Sequence, residues 1–155
     1  MIEVGQKAPE FTLYDSDKNP VSLDSYKGKN VVLLFFPMAF TSVCTKELCE
    51  VRDNIASYNN TNAAVLGISV DSVFTLAKFK EDQHLNFPLL SDFNKEVSTR
   101  YDALYPTFAF DMKGVSKRAA FVIDSDGVIR HKEILENAGN VPDFGAVRTA
   151  LADIA

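Results

Sequence analysis

The stretch FFPMAFTSVCTKELCEVRDNI, residues 35–55, holds the residues of this chain that are best suited to chemistry. Cys44 and Cys49 are its two cysteines, and the sequence contains no others. Cysteine can act as a nucleophile, as a metal ligand or as half of a disulfide, and it can also pack as a small apolar side chain. The first question is which of these roles the surrounding residues favour.

Cys44 lies where a predicted strand has ended and a predicted helix is starting. The run NVVLLFF, residues 30–36, is typical of a strand that is buried on both faces. Apolar residues at helical spacings then predict a helix over 42–57. The first turn of a helix has unpaired N–H groups and the positive end of the dipole, so a thiolate at Cys44 would be stabilised.

Two residues before Cys44 can assist a reactive sulfur. The hydroxyl of Thr41, three residues earlier, can donate to a thiolate and can accept from or donate to a substrate oxygen. Pro37 begins the loop with a fixed φ and can shield the sulfur without offering an N–H group.

The spacing of the two cysteines restricts how they can react. Five residues along a helix correspond to a rotation of roughly 500°, or about 140° off the first face, and a rise of about 7.5 Å. Disulfide geometry needs Cα atoms about 4.4–6.8 Å apart with converging Cβ atoms. Cys44 and Cys49 therefore cannot bond while the helix between them is intact.

Other uses of the pair are less well supported. A zinc site needs a second close pair of ligands, and the two histidines, His84 and His131, lie far away in the sequence. A thioredoxin-type disulfide reductase uses C-x-x-C, which keeps both sulfurs at one helix end. A redox sensor that uses a Cys44–Cys49 disulfide as a conformational switch stays an open alternative; it would be oxidised once per signal, whereas an enzyme would turn over continuously.

The composition sets the broad class. A chain of 155 residues with 46% hydrophobic and 24% charged residues is typical of one globular domain, here spanning 1–155. A net charge of −5 argues against nucleic-acid binding. The N-terminal segment lacks a secretory pattern and no apolar run could span a bilayer, so we expect a cytoplasmic protein without membrane contact.

The remaining elements predict an α/β fold. A turn-rich segment near residues 15–20 suggests an N-terminal β-hairpin, and buried strands are expected at 63–70 and near 87–91, with a helix between them capped by Asp71 or Ser72. A second hairpin around the DSDG turn and a closing helix follow. This order predicts a thioredoxin-like fold with an N-terminal hairpin extension and a central mixed sheet flanked by helices. The aromatic residues expected in the core are Phe35, Phe36, Phe108, Phe110 and Phe121.

The segment P37-M-A-F-T41-S-V-C44 resembles the active-site signature of peroxiredoxins, Pro-x-x-x-Thr-x-x-Cys. VGQKAPEFTL, FPLLSD and KRAAFVIDSDGVIR also resemble peroxiredoxin segments in the same order, so the likeness covers nearly the whole chain. The active-site and C-terminal segments are most similar to the AhpE-like subgroup. Cys49, however, occupies the place of the second cysteine of the Q-type, or bacterioferritin comigratory protein, group.

The resemblance implies a set of catalytic residues. Cys44 would be the peroxidatic cysteine, which attacks a hydroperoxide and becomes a sulfenic acid. Arg118, in R-A-A-F-V-I-D, matches the family's arginine, which holds the sulfur and the peroxide oxygen. Glu47 lies three residues after Cys44, and its charge alone would disfavour the thiolate, so its expected role is to orient Arg118. Pro37 and Thr41 would complete the site, with no metal or organic cofactor.

The resemblance leaves three points open. Cys49 would resolve the sulfenic acid as an intramolecular disulfide after the helix unwinds, or an external thiol would do so and Cys49 would only pack. The expected partners are a hydroperoxide and a thioredoxin-like or other thiol reductant. The AhpE-like resemblance implies a homodimer through the edge near 37–41 and 101–112, whereas the Q-type resemblance allows a monomer.

Overall fold

A computed structural model of the protein describes residues 1–154. The strands of this part of the chain are Thr12–Asp15 (β1), Pro20–Ser22 (β2), Asn30–Phe35 (β3), Ala63–Ser69 (β4), Leu89–Ser91 (β5), Leu104–Thr107 (β6), Lys113–Ser116 (β7), Ala119–Ile123 (β8) and Ile129–Ile134 (β9). Its α-helices are Ser42–Asp53 (α1), Ile55–Asn59 (α2), Val73–Gln83 (α3), Glu96–Arg100 (α4) and Phe144–Ile154 (α5).

A seven-stranded mixed sheet forms the centre of the fold, in the order β2-β1-β5-β4-β3-β8-β9. β3, β4 and β5 are parallel, as the βαβ pattern predicts, whereas β8 pairs antiparallel with β3 and β9 antiparallel with β8. β1 and β2 form the expected N-terminal hairpin and join the sheet through β5. The predicted thioredoxin-like α/β fold is confirmed.

Apolar side chains fill both faces of the sheet, because successive residues of a strand point to opposite sides. Val32 and Leu34 of β3 contribute to a core with residues of α1, α2, α3 and α5. Val31 and Leu33 contribute to a second core with α4 and the N-terminal segment. Every residue of β3 is buried, which explains its continuous apolar sequence.

Three details of the sequence-based prediction are wrong. The helix predicted over 42–57 is broken at Asn54, whose φ of −117° and ψ of 19° are not helical and whose side-chain amide donates to the Glu50 carbonyl at 2.8 Å. The β6–β7 hairpin was not predicted. Two of the aromatic residues expected in the core lie outside it. Phe110 is in the connection between β6 and β7 with a φ of 57° and is 94% exposed, and Phe108 is only partly buried.

Candidate active site

The first turn of α1 positions Cys44. Thr41 is the N-cap residue with extended backbone angles, and Cys44 is the third residue of the helix. The N–H group at this position has no acceptor within the helix, so it is available to an anion at the sulfur. The Cys44 side chain is only 1% exposed and contributes to the core that contains α1.

Asp71 holds the loop that leads into α1. Its Oδ2 accepts the backbone N–H of Ala39 at 2.8 Å and the hydroxyl of Ser69 at 2.7 Å. Pro37, at the start of the loop, is buried, and Phe40 has a left-handed φ of 66°. The loop is therefore fixed to the end of β4, the strand next to the one that it leaves.

Thr41 does not direct its hydroxyl hydrogen to the sulfur. Its Oγ1 donates to the Met38 carbonyl at 2.8 Å, and the residue is exposed. The donor is thus occupied, while the oxygen lone pairs can still accept a hydrogen bond. The expected contact of this hydroxyl with the Cys44 sulfur is absent from the part of the chain that the structure describes.

Arg118 lies beside Cys44 because the residue that precedes β8 faces the start of α1. Since β8 pairs antiparallel with β3, its first residue, Ala119, lies opposite Phe35 at the end of β3. Nη2 of Arg118 donates to Cys44 Sγ at 3.3 Å, and Nη1 donates to Glu47 Oε1 at 2.6 Å. The guanidinium is therefore in contact with both side chains.

The carbonyl of Ala138 fixes the other edge of the guanidinium. It accepts from Nε of Arg118 at 3.1 Å and from Nη2 at 2.9 Å. Arg118 is 2% exposed, so a planar cation with donors in several directions is held almost without solvent contact. Its orientation is set jointly by Glu47 and Ala138.

The electrostatics of the site follow from its burial. Burial raises the pKa of Glu47 from its ordinary 4.5 to about 7, although the charge and hydrogen bond of Arg118 act in the opposite direction. Burial alone would lower the pKa of Arg118, but the charges of Glu47 and Cys44 more than offset it and raise that pKa. Arg118 is therefore a permanent cation, and Glu47 can exchange a proton near neutral pH.

Cys49 lies away from this cluster. It is partly buried against the core on the α1 side of the sheet, and its thiol is within donor distance of Gln83 Oε1, at 3.5 Å. Arg52, one turn further along α1, donates through Nη1 to the Gln83 carbonyl at 2.6 Å. Both cysteines are free thiols in an intact helix, in agreement with the geometric argument from their spacing.

Among the residues that the sequence singled out, the structure brings Cys44, Glu47 and Arg118 into contact. Sequence reasoning missed two groups of the site. Asp71 was interpreted only as a candidate helix cap, a role that Ser72 fills by accepting the Thr75 N–H. The Ala138 carbonyl has no side-chain signature, so nothing in the sequence could indicate it.

The comparisons with known proteins agree with this geometry. The model of the AhpC/TSA family matches residues 4–132. The chain is 39% identical to alkyl hydroperoxide reductase E of Mycobacterium tuberculosis, over 98% of this chain and 97% of that protein. It is 44% identical to the putative peroxiredoxin bcp of Coxiella burnetii, over 83% of this chain and 85% of the relative. The chain belongs to the peroxiredoxins of the AhpC/TSA family.

The crystal structure of peroxidoxin BcpB from Mycobacterium tuberculosis is similar to the structure of this peroxiredoxin, with a TM-score of 0.88 and 29% sequence identity. The match covers 100% of the present chain and 99% of the BcpB chain. As a peroxiredoxin, the protein is a thiol peroxidase, an oxidoreductase. No helix within residues 1–154 has the length and apolar character needed to cross a bilayer.

Proposed function

We propose that this peroxiredoxin reduces hydrogen peroxide and organic hydroperoxides with Cys44 as the peroxidatic residue. The Cys44 thiolate attacks the terminal oxygen of the hydroperoxide, an alcohol or water leaves, and Cys44 becomes a sulfenic acid. The observation that carries the proposal is the 3.3 Å hydrogen bond from Arg118 Nη2 to Cys44 Sγ at a helix N-terminus.

The other site residues have supporting roles. Arg118 and the Cys44 N–H stabilise the charge that spreads over the breaking O–O bond. Glu47 and the Ala138 carbonyl fix the plane of the guanidinium. Thr41 accepts a hydrogen bond from the peroxide, because its own hydroxyl hydrogen is bound to Met38. Pro37 shapes the loop that precedes these groups.

Cys49 resolves the sulfenic acid in this proposal, forming an intramolecular disulfide that a thioredoxin-like donor reduces. The first turns of α1 must unwind for this step, because both cysteines lie in one helix. Unwinding would expose the disulfide to the reductant. When α1 unwinds, Cys49 and Arg52 lose their contacts with Gln83.

A one-cysteine peroxidase that uses an external thiol is the second candidate. The observation that favours it is the position of Cys49, which is packed against the core and within donor distance of Gln83. The two candidates differ in their dependence on Cys49. With NADPH, thioredoxin reductase and thioredoxin, the wild type should consume peroxide continuously, and Cys44→Ser should not.

The Cys49→Ser variant separates the candidates in the same assay. Loss of thioredoxin-dependent turnover, with the first reaction with peroxide retained, supports the resolving role. Unchanged turnover supports an external thiol. A wild type that reacts once and then stops would instead favour a peroxide-sensing disulfide switch.

We also propose that a second copy of the chain covers the edge formed by the loops near 37–41 and 101–112. Phe40 and Phe110 are 51% and 94% exposed there. Aromatic side chains are enriched in protein–protein interfaces relative to the rest of the surface. A homodimer through this edge would bury them.

A further inference from the structure

Cys44, Glu47 and Arg118 form a buried cluster that contains two acidic groups and one cation. Their exposed fractions are 1%, 0% and 2%. One oxygen of Glu47, Oε1, accepts from Arg118, whereas Oε2 is buried and has no hydrogen-bond partner within residues 1–154. A carboxylate whose charge is buried and only partly hydrogen-bonded is more costly than a neutral carboxyl at the same place, so the burial of this oxygen favours the protonated form.

The charges of the cluster lead to the same conclusion. One guanidinium can balance a thiolate or a carboxylate, but not both, and a second buried anion without a partner is costly. When Cys44 ionises, one proton should therefore stay in the cluster. Burial raises the pKa of Glu47 to about 7, and the nearby charge of Glu50 acts in the same direction. Glu47 is thus able to hold the proton.

We propose that Glu47 carries the proton of the reduced site and delivers it to the oxygen that leaves when Cys44 is oxidised. This inference rests on the proposed peroxidase function and adds a proton donor to it. The sulfur of Cys44 forms a bond to the terminal peroxide oxygen while the O–O bond breaks. The leaving alkoxide takes the proton from Glu47, so a thiolate, a carboxylic acid and a hydroperoxide become a sulfenic acid, a carboxylate and an alcohol.

The change of charge at the sulfur drives this transfer. Before the reaction, the Cys44 thiolate and Glu47 compete for Arg118. Afterwards the sulfenic acid is neutral, and the Glu47 carboxylate is the one anion beside the guanidinium. Ionisation of Glu47 therefore becomes favourable at the moment when the leaving oxygen needs a proton.

The other polar groups of the site are poorer donors. A guanidinium does not release a proton in proteins. The hydroxyl hydrogen of Thr41 is bound to the Met38 carbonyl. Among the side chains that contact Cys44 or Arg118 in the described residues, Glu47 is the one that titrates near neutral pH.

The nature of the leaving group tests the proposal. tert-Butyl hydroperoxide leaves a strongly basic alkoxide, which needs a proton, whereas peracetic acid leaves acetate, which does not. Stopped-flow rates of the first oxidation at pH 7 should be compared for the wild type, Glu47→Gln and the control Glu96→Gln. Gln keeps an oxygen that can accept from Arg118, and Glu96 is an exposed residue of α4, on the opposite face of the sheet from α1.

We expect Glu47→Gln to react roughly 100-fold more slowly with tert-butyl hydroperoxide, the usual scale of general acid catalysis. Its rate with peracetic acid should stay close to that of the wild type, and Glu96→Gln should match the wild type with both. An equal loss with both peroxides would overturn the proposal and leave Glu47 as a positioning residue. No loss with either would also overturn it. A wild type inert to both would refute the peroxidase function itself.

Infrared difference spectra provide a second readout that orientation of Arg118 would not affect. The reduced wild type at pH 7 should show the C=O stretching band of a protonated carboxylic acid, and oxidation by one equivalent of peroxide should remove it. Glu47→Gln should lack that change. A reduced wild type without such a band contradicts the inference.

Discussion

Replacement of Arg118 by methionine tests whether one side chain serves both the fold and the chemistry. The substitution removes the four hydrogen bonds that the guanidinium makes to Cys44, Glu47 and Ala138. It also leaves the Glu47 carboxylate buried without its ion-pair partner, which is 2.6 Å away in the wild type. Breaking a buried ion pair from one side costs about 3–5 kcal/mol. We expect this loss in the free energy of unfolding at pH 8.

The loss in the free energy of unfolding of Arg118→Met should be smaller at pH 5 than at pH 8. Without Arg118, the pKa of Glu47 in the folded protein should rise further above the value in the unfolded chain, because burial still acts and the opposing charge has gone. An acid with a raised pKa in the folded state stabilises the protein most below its unfolded pKa, and this contribution is lost as the pH rises through the folded pKa. Urea unfolding followed by circular dichroism at the two pH values measures the difference.

The double variant Arg118→Met/Glu47→Gln separates stability from catalysis. It contains no unpaired buried charge, so most of the lost stability should return. Its stopped-flow reaction with hydrogen peroxide should nevertheless stay about 100- to 1,000-fold slower than that of Glu47→Gln alone, as for the loss of an oxyanion donor. Arg130→Met is the control, because Arg130 pairs with Asp124 at 2.6 Å but is 51% exposed. It should change stability by at most about 1 kcal/mol.

Two results would refute this reasoning. If Arg118→Met were as stable as the wild type at pH 8, the buried pair would not hold the site together. If the double variant reacted with hydrogen peroxide as fast as Glu47→Gln, Arg118 would have no part in the chemistry.

Three further predictions concern other parts of the molecule. The rise in the pKa of Glu47 from 4.5 to about 7 should stabilise the wild type by about 3 kcal/mol below pH 4.5, and this contribution should vanish as the pH rises through 7. The free energy of unfolding of Glu47→Gln, measured at several pH values, should lack this contribution. Parallel pH profiles of the wild type and the variant would contradict the assignment. Arg52→Met removes the 2.6 Å bond to the Gln83 carbonyl, so rapid-quench thiol counts should show disulfide formation up to about tenfold faster. The same change in the control Lys46→Met, at an exposed position of α1, would refute that explanation. Phe110→Ser should shift a homodimer towards monomer in sedimentation velocity, whereas Val4→Ser, at a 54% exposed residue, should not. A wild type that is already monomeric would refute the proposed edge.

The position of Cys44 could be predicted from the sequence because two strong periodic signals meet there. The continuous apolar run of β3 and the change to helical spacing after Pro37 locate a strand-to-helix junction. Arg118 could be found only through resemblance to a family. A single arginine before a strand has no local signal, and its contact with Cys44 depends on the antiparallel pairing of β8 with β3.

The features that could not be predicted from the sequence are short strands and contacts made by backbone groups. β6 and β7 have four residues each, and the positive φ angles of Phe110 and Asp111 in their connection belong to non-glycine residues, which sequence patterns do not indicate. The break at Asn54 results from a side-chain bond to a carbonyl that competes with the helix. The acceptor that fixes Arg118 is likewise a backbone carbonyl.

We have proposed that Cys44 reacts first with peroxide and that Cys49 then resolves the product. The most direct test is the intact mass and thiol count of the wild type and of Cys49→Ser after one equivalent of hydrogen peroxide. We expect the loss of two hydrogens and of both thiols in the wild type, and a trapped sulfenic acid at Cys44 in the variant. A stable sulfenic acid in the wild type would contradict the role of Cys49, and an unmodified Cys44 in both proteins would contradict the peroxidase mechanism itself.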